Sequence, residues 1–123
     1  DYINTSLDFP DGVDVEVFKF EMLTKANQEA KLLSEREHVT PWIRKQAAKT
    51  AIFQAKTDIY KDVRLTVDEW ADFECMEQLI MKFGYQADWE VYANYVSKNS
   101  ELFRNQTIIR NEGYLKSIQK DSK

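Results

Sequence analysis

The chain has few of the residues on which common catalytic and structural motifs depend: one cysteine, one histidine and three glycines in 123 residues. Cys75 has no second cysteine to pair with, which excludes an internal disulfide and favours a reducing, cytoplasmic location. A single Cys and a single His exclude the usual zinc sites. The three glycines lie far apart and form neither a P-loop nor a dinucleotide-binding fingerprint.

Long apolar runs and excess positive charge are also missing. No stretch approaches the ~20 apolar residues of a membrane span, and no charged-then-apolar signal segment is present, so we expect no membrane association. The formal net charge of −4 argues against nucleic-acid binding, because that affinity comes from Lys and Arg on phosphates. With 43% hydrophobic residues, the length predicts a single globular domain over residues 1–123.

Hydrophobic periodicity predicts alternating strands and helices, which is typical of an α/β domain. Strands are expected over residues 2–5, 13–18, 50–55 and 63–67. Helices are expected over residues 20–33, from Ser34 as a capping residue, from Pro41, from Asp68 to Phe83, and from Asp88. Gly84 is expected to end the Asp68 helix in a left-handed conformation.

Asp68 lies where the strand pattern of residues 63–67 changes to a helical pattern. In an open α/β sheet, a carboxylate at the carboxyl end of a strand is well placed to hold a metal. Asp is also a favoured helix N-cap, because its oxygen accepts hydrogen bonds from the first free N–H groups. Spacing alone leaves both interpretations open.

Other polar residues allow a functional and a structural interpretation as well. Asp14 and Glu16 alternate with three valines, so they are expected ~7 Å apart on one face. They form either the acidic wall of a ligand cleft or the solvated face of a half-covered strand. His38 is the only histidine, and a single His is more often a surface or packed residue than a catalyst.

Four strings occur in order along the chain: FPDGVDVEVF (9–18), SEREHVTPWIR (34–44), RLTVDE (64–69) and RNEGY (110–114). Together they resemble the spore coat polysaccharide biosynthesis protein F family, which is related to the cytidylyltransferases that make CMP-activated acidic sugars. The resemblance runs from Tyr2 to about Asp121. It covers the later half of the family's nucleotidyltransferase domain.

The resemblance implies the carboxy-terminal portion of a nucleotide-diphospho-sugar transferase-like, Rossmann-like, three-layer α/β fold. It implies Mg²⁺ as cofactor, CTP as co-substrate and a sugar acid as acceptor, giving a CMP-sugar for surface or spore coat polysaccharide. Neither the Gly-rich basic loop nor the first metal-binding Asp of the family's earlier half has a match here. We therefore expect the missing amino-terminal half of the domain as a partner, and little activity from this chain alone.

Site residues are carried over position by position. Asp68 matches the family's second metal-binding Asp. Glu35, Glu37 and His38 fall where related synthetases place sugar-contacting side chains, and Glu37 and His38 are expected to position or deprotonate the acceptor.

The first string supplies further expected substrate contacts. Asp11, Asp14 and Glu16 are expected to line the sugar side of the cleft. The family usually has a basic residue where Leu7 and Asp8 stand, which argues against anion binding by that loop.

Two rival functions remain. The chain is either a non-catalytic half-domain that supplies sugar-site walls or a homodimer interface, or a glycosyltransferase-like protein. If the missing half completes the sheet, the exposed sheet edge also favours self-association.

Overall fold

The computed structural model describes residues 1–121 of the chain. Among these residues it is a mixed α/β structure with one three-stranded sheet and six helices. The strands are β1 (Tyr2–Thr5), β2 (Glu16–Phe18) and β3 (Thr50–Phe53). The helices are α1 (Phe20–Glu29), α2 (Leu33–Glu37), α3 (Pro41–Gln46), α4 (Trp70–Phe83), α5 (Trp89–Lys98) and α6 (Glu112–Asp121), with 3₁₀ turns at Ser100–Leu102 and Arg104–Thr107.

The chain forms two compact units, which we call the sheet unit and the helical unit. The sheet unit contains residues 1–4, 16–53 and the residues from 111 onward, and the helical unit contains residues 5–15 and 54–110. Within residues 1–121, none of the helices combines the length and the apolar character needed to cross a membrane.

In the sheet unit the strand order is β2-β1-β3, and β1 pairs antiparallel with β2. Its core consists of Tyr2 from β1, Ala26 from α1, and Trp42 and Ile43 from α3. Helix α3 begins at Pro41, as predicted, because the first helical position has no need of a backbone donor. The predicted strand at residues 2–5 is confirmed, and the one predicted over residues 50–55 ends at Phe53.

The predicted alternation of residues 13–18 is wrong in the part that forms β2. Val17 is 60% exposed, whereas Glu16 is half-buried. Polar contacts explain the inversion: Glu16 accepts a 2.6 Å hydrogen bond from the Tyr2 hydroxyl and pairs with the Arg44 guanidinium. A buried carboxylate is tolerated where such partners surround it.

Two helix boundaries also differ from the prediction. Helix α1 ends at Glu29, because Ala30 adopts an extended backbone. Helix α2 begins at Leu33, so Ser34 lies inside the helix and does not cap it. The Ser34 backbone N–H and hydroxyl both donate to the Asp121 carboxylate of α6, at 3.0 and 2.5 Å. A contact between residues far apart in sequence therefore decides the role of Ser34.

The helical unit packs α4 and α5 around one apolar core. Its buried residues are Val63, Leu65, Cys75, Leu79, Tyr92, Ala93, Val96 and Phe103. Helix α4 ends at Phe83, and Gly84 is its C-cap with the predicted positive φ, +82°. Its ψ of 157° differs from that of the left-handed helical conformation. Gly12 has a φ of +101°, and a Cβ there would lie 2.4 Å from the Thr66 backbone nitrogen. Only glycine allows the two segments to approach so closely.

Residues 63–67 do not form the predicted strand. Instead, one parallel bridge joins Arg64 to Asp11: the Asp11 N–H donates to the Val63 carbonyl at 2.9 Å, and the Leu65 N–H donates to the Asp11 carbonyl at 2.7 Å. The Arg64 N–H donates to the Gln106 side-chain oxygen at 2.8 Å, and the Arg64 carbonyl accepts from the Gln106 amide at 2.9 Å. A side-chain amide thus replaces a neighbouring strand.

Candidate functional site

Asp68 lies one residue before the N-cap of α4. Helix α4 is capped by Glu69, so the interpretation of Asp68 as the cap is wrong. The Asp68 side chain is 73% exposed, and its carboxylate lies 3.6 Å from Nη2 of Arg64. This carboxylate remains accessible to a ligand.

Asp72, the third residue of α4, is fully buried and accepts five hydrogen bonds. Arg64 donates from Nε and Nη2 at 2.8 Å each, and the Asn105 amide donates at 3.0 Å. The backbone N–H groups of Asp68 and Glu69 donate at 3.1 and 3.0 Å. Burial raises the pKa of Asp72, but the hydrogen bonds from Arg64, Glu69 and Asp68 outweigh it and hold the pKa well below its usual range.

Arg64 is the centre of a cluster that the sequence did not single out. Its side chain is 8% exposed and also donates from Nη1 to Asp11 at 2.9 Å. The hydrogen bonds to Asp72 raise the pKa of Arg64. A signal was present in the sequence: Arg64 stands between the apolar residues Val63 and Leu65, and Asp68 and Asp72 follow at helical spacing.

Arg110 is a second arginine that contacts the acidic residues of this cluster. It donates to Asp14 at 2.7 Å and to the carbonyls of Leu7 and Phe9 at 3.1 and 2.9 Å, and its Nε lies 3.7 Å from Asp11. Burial raises the pKa of Asp11, although the Arg110 and Arg64 charges oppose it.

These contacts bring together three of the predicted site residues, Asp11, Asp14 and Asp68. We call Asp11, Asp14, Arg64, Asp68, Asp72 and Arg110 the Asp–Arg cluster.

In the sheet unit, two predicted substrate contacts are engaged in ion pairs. Burial raises the pKa of Glu16, but hydrogen bonds from Tyr2 and Thr40 and the Arg44 charge give a net lowering. Burial, together with the bond to Glu16, raises the pKa of Tyr2 to about 12.

Glu35 is the second of these ion-paired carboxylates. It accepts from Lys45 at 2.9 Å, and this hydrogen bond lowers the pKa of Glu35 despite burial. The Lys31 and Leu32 backbone N–H groups also donate to it, at 3.3 Å each.

The predicted catalytic pair, Glu37 and His38, meets at a buried serine of α6. The Ser117 hydroxyl donates to Glu37 at 2.6 Å, and its oxygen lies 3.1 Å from Nε2 of His38. The Ser117 hydroxyl also lies 3.2 Å from the Gly113 carbonyl oxygen. The Tyr114 ring packs edge-on against the imidazole at 5.2 Å. Ser117 is only 2% exposed, so it is not an accessible nucleophile.

The donor set fits Mg²⁺ only in part. Among residues 1–121, no group of three or more His, Cys, Asp or Glu side chains is arranged to hold a metal ion. In the Asp–Arg cluster, Asp72 and Asp11 direct their oxygens to arginines, whereas Asp68 keeps an exposed carboxylate. Mg²⁺ is commonly held by one or two carboxylates together with water and substrate phosphates. Asp68 fits the role of one such carboxylate.

Comparison with protein-family models finds no match for the chain. The chain is 30% identical over 118 residues to an uncharacterised protein of Methanocaldococcus jannaschii, a match that covers 93% of this chain and 48% of that protein. The solved structure of a cytidylyltransferase from Leptospira borgpetersenii serovar Hardjo-bovis is similar, with a TM-score of 0.71 and 26% identity. That match covers 88% of this chain and 47% of the other.

The chain therefore spans about half the length of each of these two relatives. The structural likeness supports a cytidylyltransferase-like fold, and the predicted α/β class is confirmed at the level of a mixed α/β structure.

Proposed function

We propose that this chain is the carboxy-terminal half of a cytidylyltransferase-like domain, which transfers a cytidylyl group from CTP to a sugar acid and releases pyrophosphate. The similarity to the Leptospira cytidylyltransferase structure carries the proposal. The accessible carboxylate of Asp68 supports it. The CMP-sugar product would serve surface or spore coat polysaccharide synthesis in the cytoplasm, and the complete domain would have a Rossmann-like, three-layer fold.

In this proposal Asp68 contributes one carboxylate to a Mg²⁺ ion. When bound, the ion supplies electrostatic stabilisation of the charge that develops on the reacting phosphates. The chain itself contributes a fixed backbone: Asp72 accepts hydrogen bonds from the N–H groups of Asp68 and Glu69, and Arg64 holds Asp72.

Glu37 and His38 are the proposed acid–base residues of the acceptor side. The Ser117 side chain, which contacts both Glu37 and Nε2 of His38, would hold the two side chains in place. Asp11, Asp14, Glu16 and Glu35 are the proposed sugar-side contacts. Of these, Asp14 has the most exposed carboxylate in an ion pair, at 48%.

A second candidate is a non-catalytic half that supplies sugar-site walls or a homodimer interface. Two observations favour it for the chain taken alone: the chain spans about half of each relative, and residues 1–121 hold no three-ligand metal group. A glycosyltransferase-like role is the third candidate, and analysis of the products separates it from cytidylyl transfer.

The test is the Asp68→Asn substitution in the full-length protein that carries this chain. Loss of a metal ligand is worth several kcal/mol in the transition state, so we expect the rate of pyrophosphate release from CTP and a sugar acid to fall about 100-fold or more. The unfolding midpoint should stay unchanged because the side chain is largely exposed. Asp62→Asn, at a nearby exposed aspartate, is the matched control.

A near-normal rate in the Asp68→Asn protein would contradict the assignment of Asp68. Calorimetric titration of CTP and Mg²⁺ into the 123-residue chain tests the half-domain interpretation separately. We expect negligible affinity there, and tight CTP binding would refute the view that a second half is needed.

A further inference from the structure

The buried carboxylate of Asp72 joins three separate segments of the helical unit. One oxygen accepts from Nε of Arg64 and from the Asn105 amide, at 2.8 and 3.0 Å. The other accepts from Nη2 of Arg64 at 2.8 Å and from the backbone N–H groups of Asp68 and Glu69 at 3.1 and 3.0 Å. Asp72 has no exposed surface, so it offers no free position to a ligand.

Arg64 is itself fixed at both its backbone and its side chain. The Gln106 side chain donates to the Arg64 carbonyl at 2.9 Å and accepts from the Arg64 N–H at 2.8 Å. The same Gln106 amide donates to the Asn105 side-chain oxygen at 2.8 Å. The backbone of Arg64, whose guanidinium donates to Asp72 and Asp11, is therefore held by residues of a 3₁₀ turn about forty positions later in the chain.

The result is an accessible carboxylate on a restrained backbone. Three residues separate Arg64 from Asp68, and both ends of this segment are attached to Asp72, one through the guanidinium and the other through the Asp68 N–H. The Asp68 side chain itself points to a largely exposed position. Ligand groups bind more tightly when their supporting contacts hold them in the required geometry beforehand.

We propose that Asp72 is the positioning residue for Asp68: gripped by Arg64 and Asn105, it fixes the backbone at residues 68 and 69 and so presents the Asp68 carboxylate to a divalent cation. Asp72 does not bind the cation. The inference rests on the proposed function in one respect, the assignment of Asp68 as a cation ligand.

The test compares Asp72→Asn with Glu74→Gln in the full-length protein. Asn keeps one acceptor oxygen, but its amide NH₂ group replaces the other oxygen and would face the N–H groups that now donate to Asp72. Glu74 lies on the same helix, is half-buried and pairs at 2.5 Å with the exposed Arg104, and it serves as the control for loss of an ion pair on α4 that does not contact residues 68 and 69. Two quantities are measured: amide hydrogen exchange at residues 68 and 69, and Mg²⁺ affinity by titration calorimetry with and without CTP.

We expect Asp72→Asn to accelerate exchange at both amides and to weaken Mg²⁺ binding about 10- to 100-fold, the range found for groups that orient metal ligands. Glu74→Gln should change neither. If Asp72→Asn does not fold, Arg64→Lys provides the second variant, since it keeps the buried charge but loses the two-point grip on Asp72. The same two changes are expected for it, with smaller size.

Three outcomes would overturn the inference: unchanged exchange at residues 68 and 69, faster exchange with unchanged Mg²⁺ affinity, or a wild-type protein whose Mg²⁺ binding does not depend on Asp68. Absence of cytidylyl transfer in the wild type, with Asp68-dependent Mg²⁺ binding retained, would reject the proposed function and leave the positioning role standing. The two failures are therefore distinguishable.

Discussion

Each unit of the molecule contains a buried acid at the third position of a helix. In the sheet unit Glu35 of α2 accepts from the backbone N–H groups of Lys31 and Leu32. In the helical unit Asp72 of α4 accepts from those of Asp68 and Glu69. Both acids reach back to satisfy donors that a helix start leaves free, as in half of a capping box.

The two acids differ in the cation that faces them. Glu35 makes one contact, at 2.9 Å, with Lys45, whose side chain is 52% exposed. Asp72 makes two contacts, at 2.8 Å each, with Arg64, whose side chain is 8% exposed. Water can replace Lys45 but cannot reach Arg64 easily. The same local motif therefore pairs a buried acid with an exposed cation in one unit and with a buried cation in the other, where loss of one partner is more costly.

The functional consequence follows from what each capped segment carries. The segment held by Asp72 includes Asp68, the proposed cation ligand, whereas the segment held by Glu35 contains Lys31 and Leu32, which have no such role. A rigid, buried ion pair lies where precise placement of a side chain would matter for chemistry.

The substitution expected to change stability most is Asp72→Ala, which tests whether the two buried acids differ as described. Because the substitution leaves the Arg64 charge buried without its main partner, we expect the free energy of unfolding to fall by about 3–5 kcal/mol. Urea unfolding followed by circular dichroism measures it. Glu77→Ala, at an exposed position of the same helix, should cost less than about 0.5 kcal/mol as a surface control.

The matched variant in the sheet unit is Glu35→Ala, for which the loss of a helix cap predicts about 0.5–2 kcal/mol. Equal losses for Asp72→Ala and Glu35→Ala would show that the local motif alone, and not the burial of its cation, sets the stability.

The pH dependence of the free energy of unfolding tests the difference between Asp72 and Glu35 in a second way. The pKa values of Asp72, Glu16 and Glu35 are lowered on folding. Their contributions to the free energy of unfolding are therefore complete above the ordinary pKa values, 3.8 for Asp and 4.5 for Glu. These contributions are lost as the pH falls toward the pKa values of the folded state. The raised pKa of Asp11 acts in the opposite direction. We expect the free energy of unfolding to fall from about pH 5 to about pH 3.

The Asp72→Asn protein separates the contributions to this pH dependence. Since Asp72 combines complete burial with five hydrogen bonds, its removal should flatten the pH profile more than Glu35→Gln does. Urea unfolding at each pH gives both slopes, and a steeper residual slope in Asp72→Asn than in Glu35→Gln would contradict the assignment.

The smallest expected effect is that of Lys45→Met. An ion pair with one exposed partner contributes less than about 1 kcal/mol, and salt screens it. The difference in unfolding free energy between Lys45→Met and the wild type should shrink in 1 M NaCl, a concentration at which the Debye length is about 3 Å. A large, salt-independent loss would place Lys45 in the same class as Arg64.

Local patterns predicted several elements well. Strand β1, the start of α3 at Pro41 and the end of α4 at Gly84 follow from alternation, from the fixed φ of proline and from the conformational freedom of glycine. Each depends on residues that are neighbours in sequence. The family resemblance singled out Asp68, and the structure places its carboxylate at an accessible position.

Other predictions failed where distant residues compete with the local pattern. Ser34 was predicted as a cap, but Asp121, 87 positions away, takes both of its donors. Residues 63–67 were predicted as a strand, but Gln106 side-chain atoms occupy the backbone groups of Arg64. Glu16 was predicted on a solvated or cleft-facing side, and Tyr2 and Arg44 hold it.

The amino-acid sequence by itself determined the α/β class and several helix and strand positions, because these depend on periodicity and on backbone preferences of single residues. Asp68 was singled out by the family resemblance, and its exposure was seen only in the structure. Only the tertiary structure decided that Asp72 and Arg64 are buried together and that Glu69, not Asp68, caps α4. Burial depends on which segments meet in space. In water, carboxylates are solvated and screened alike, and burial removes this water, so that each carboxylate then depends on its own hydrogen-bond and ion-pair partners.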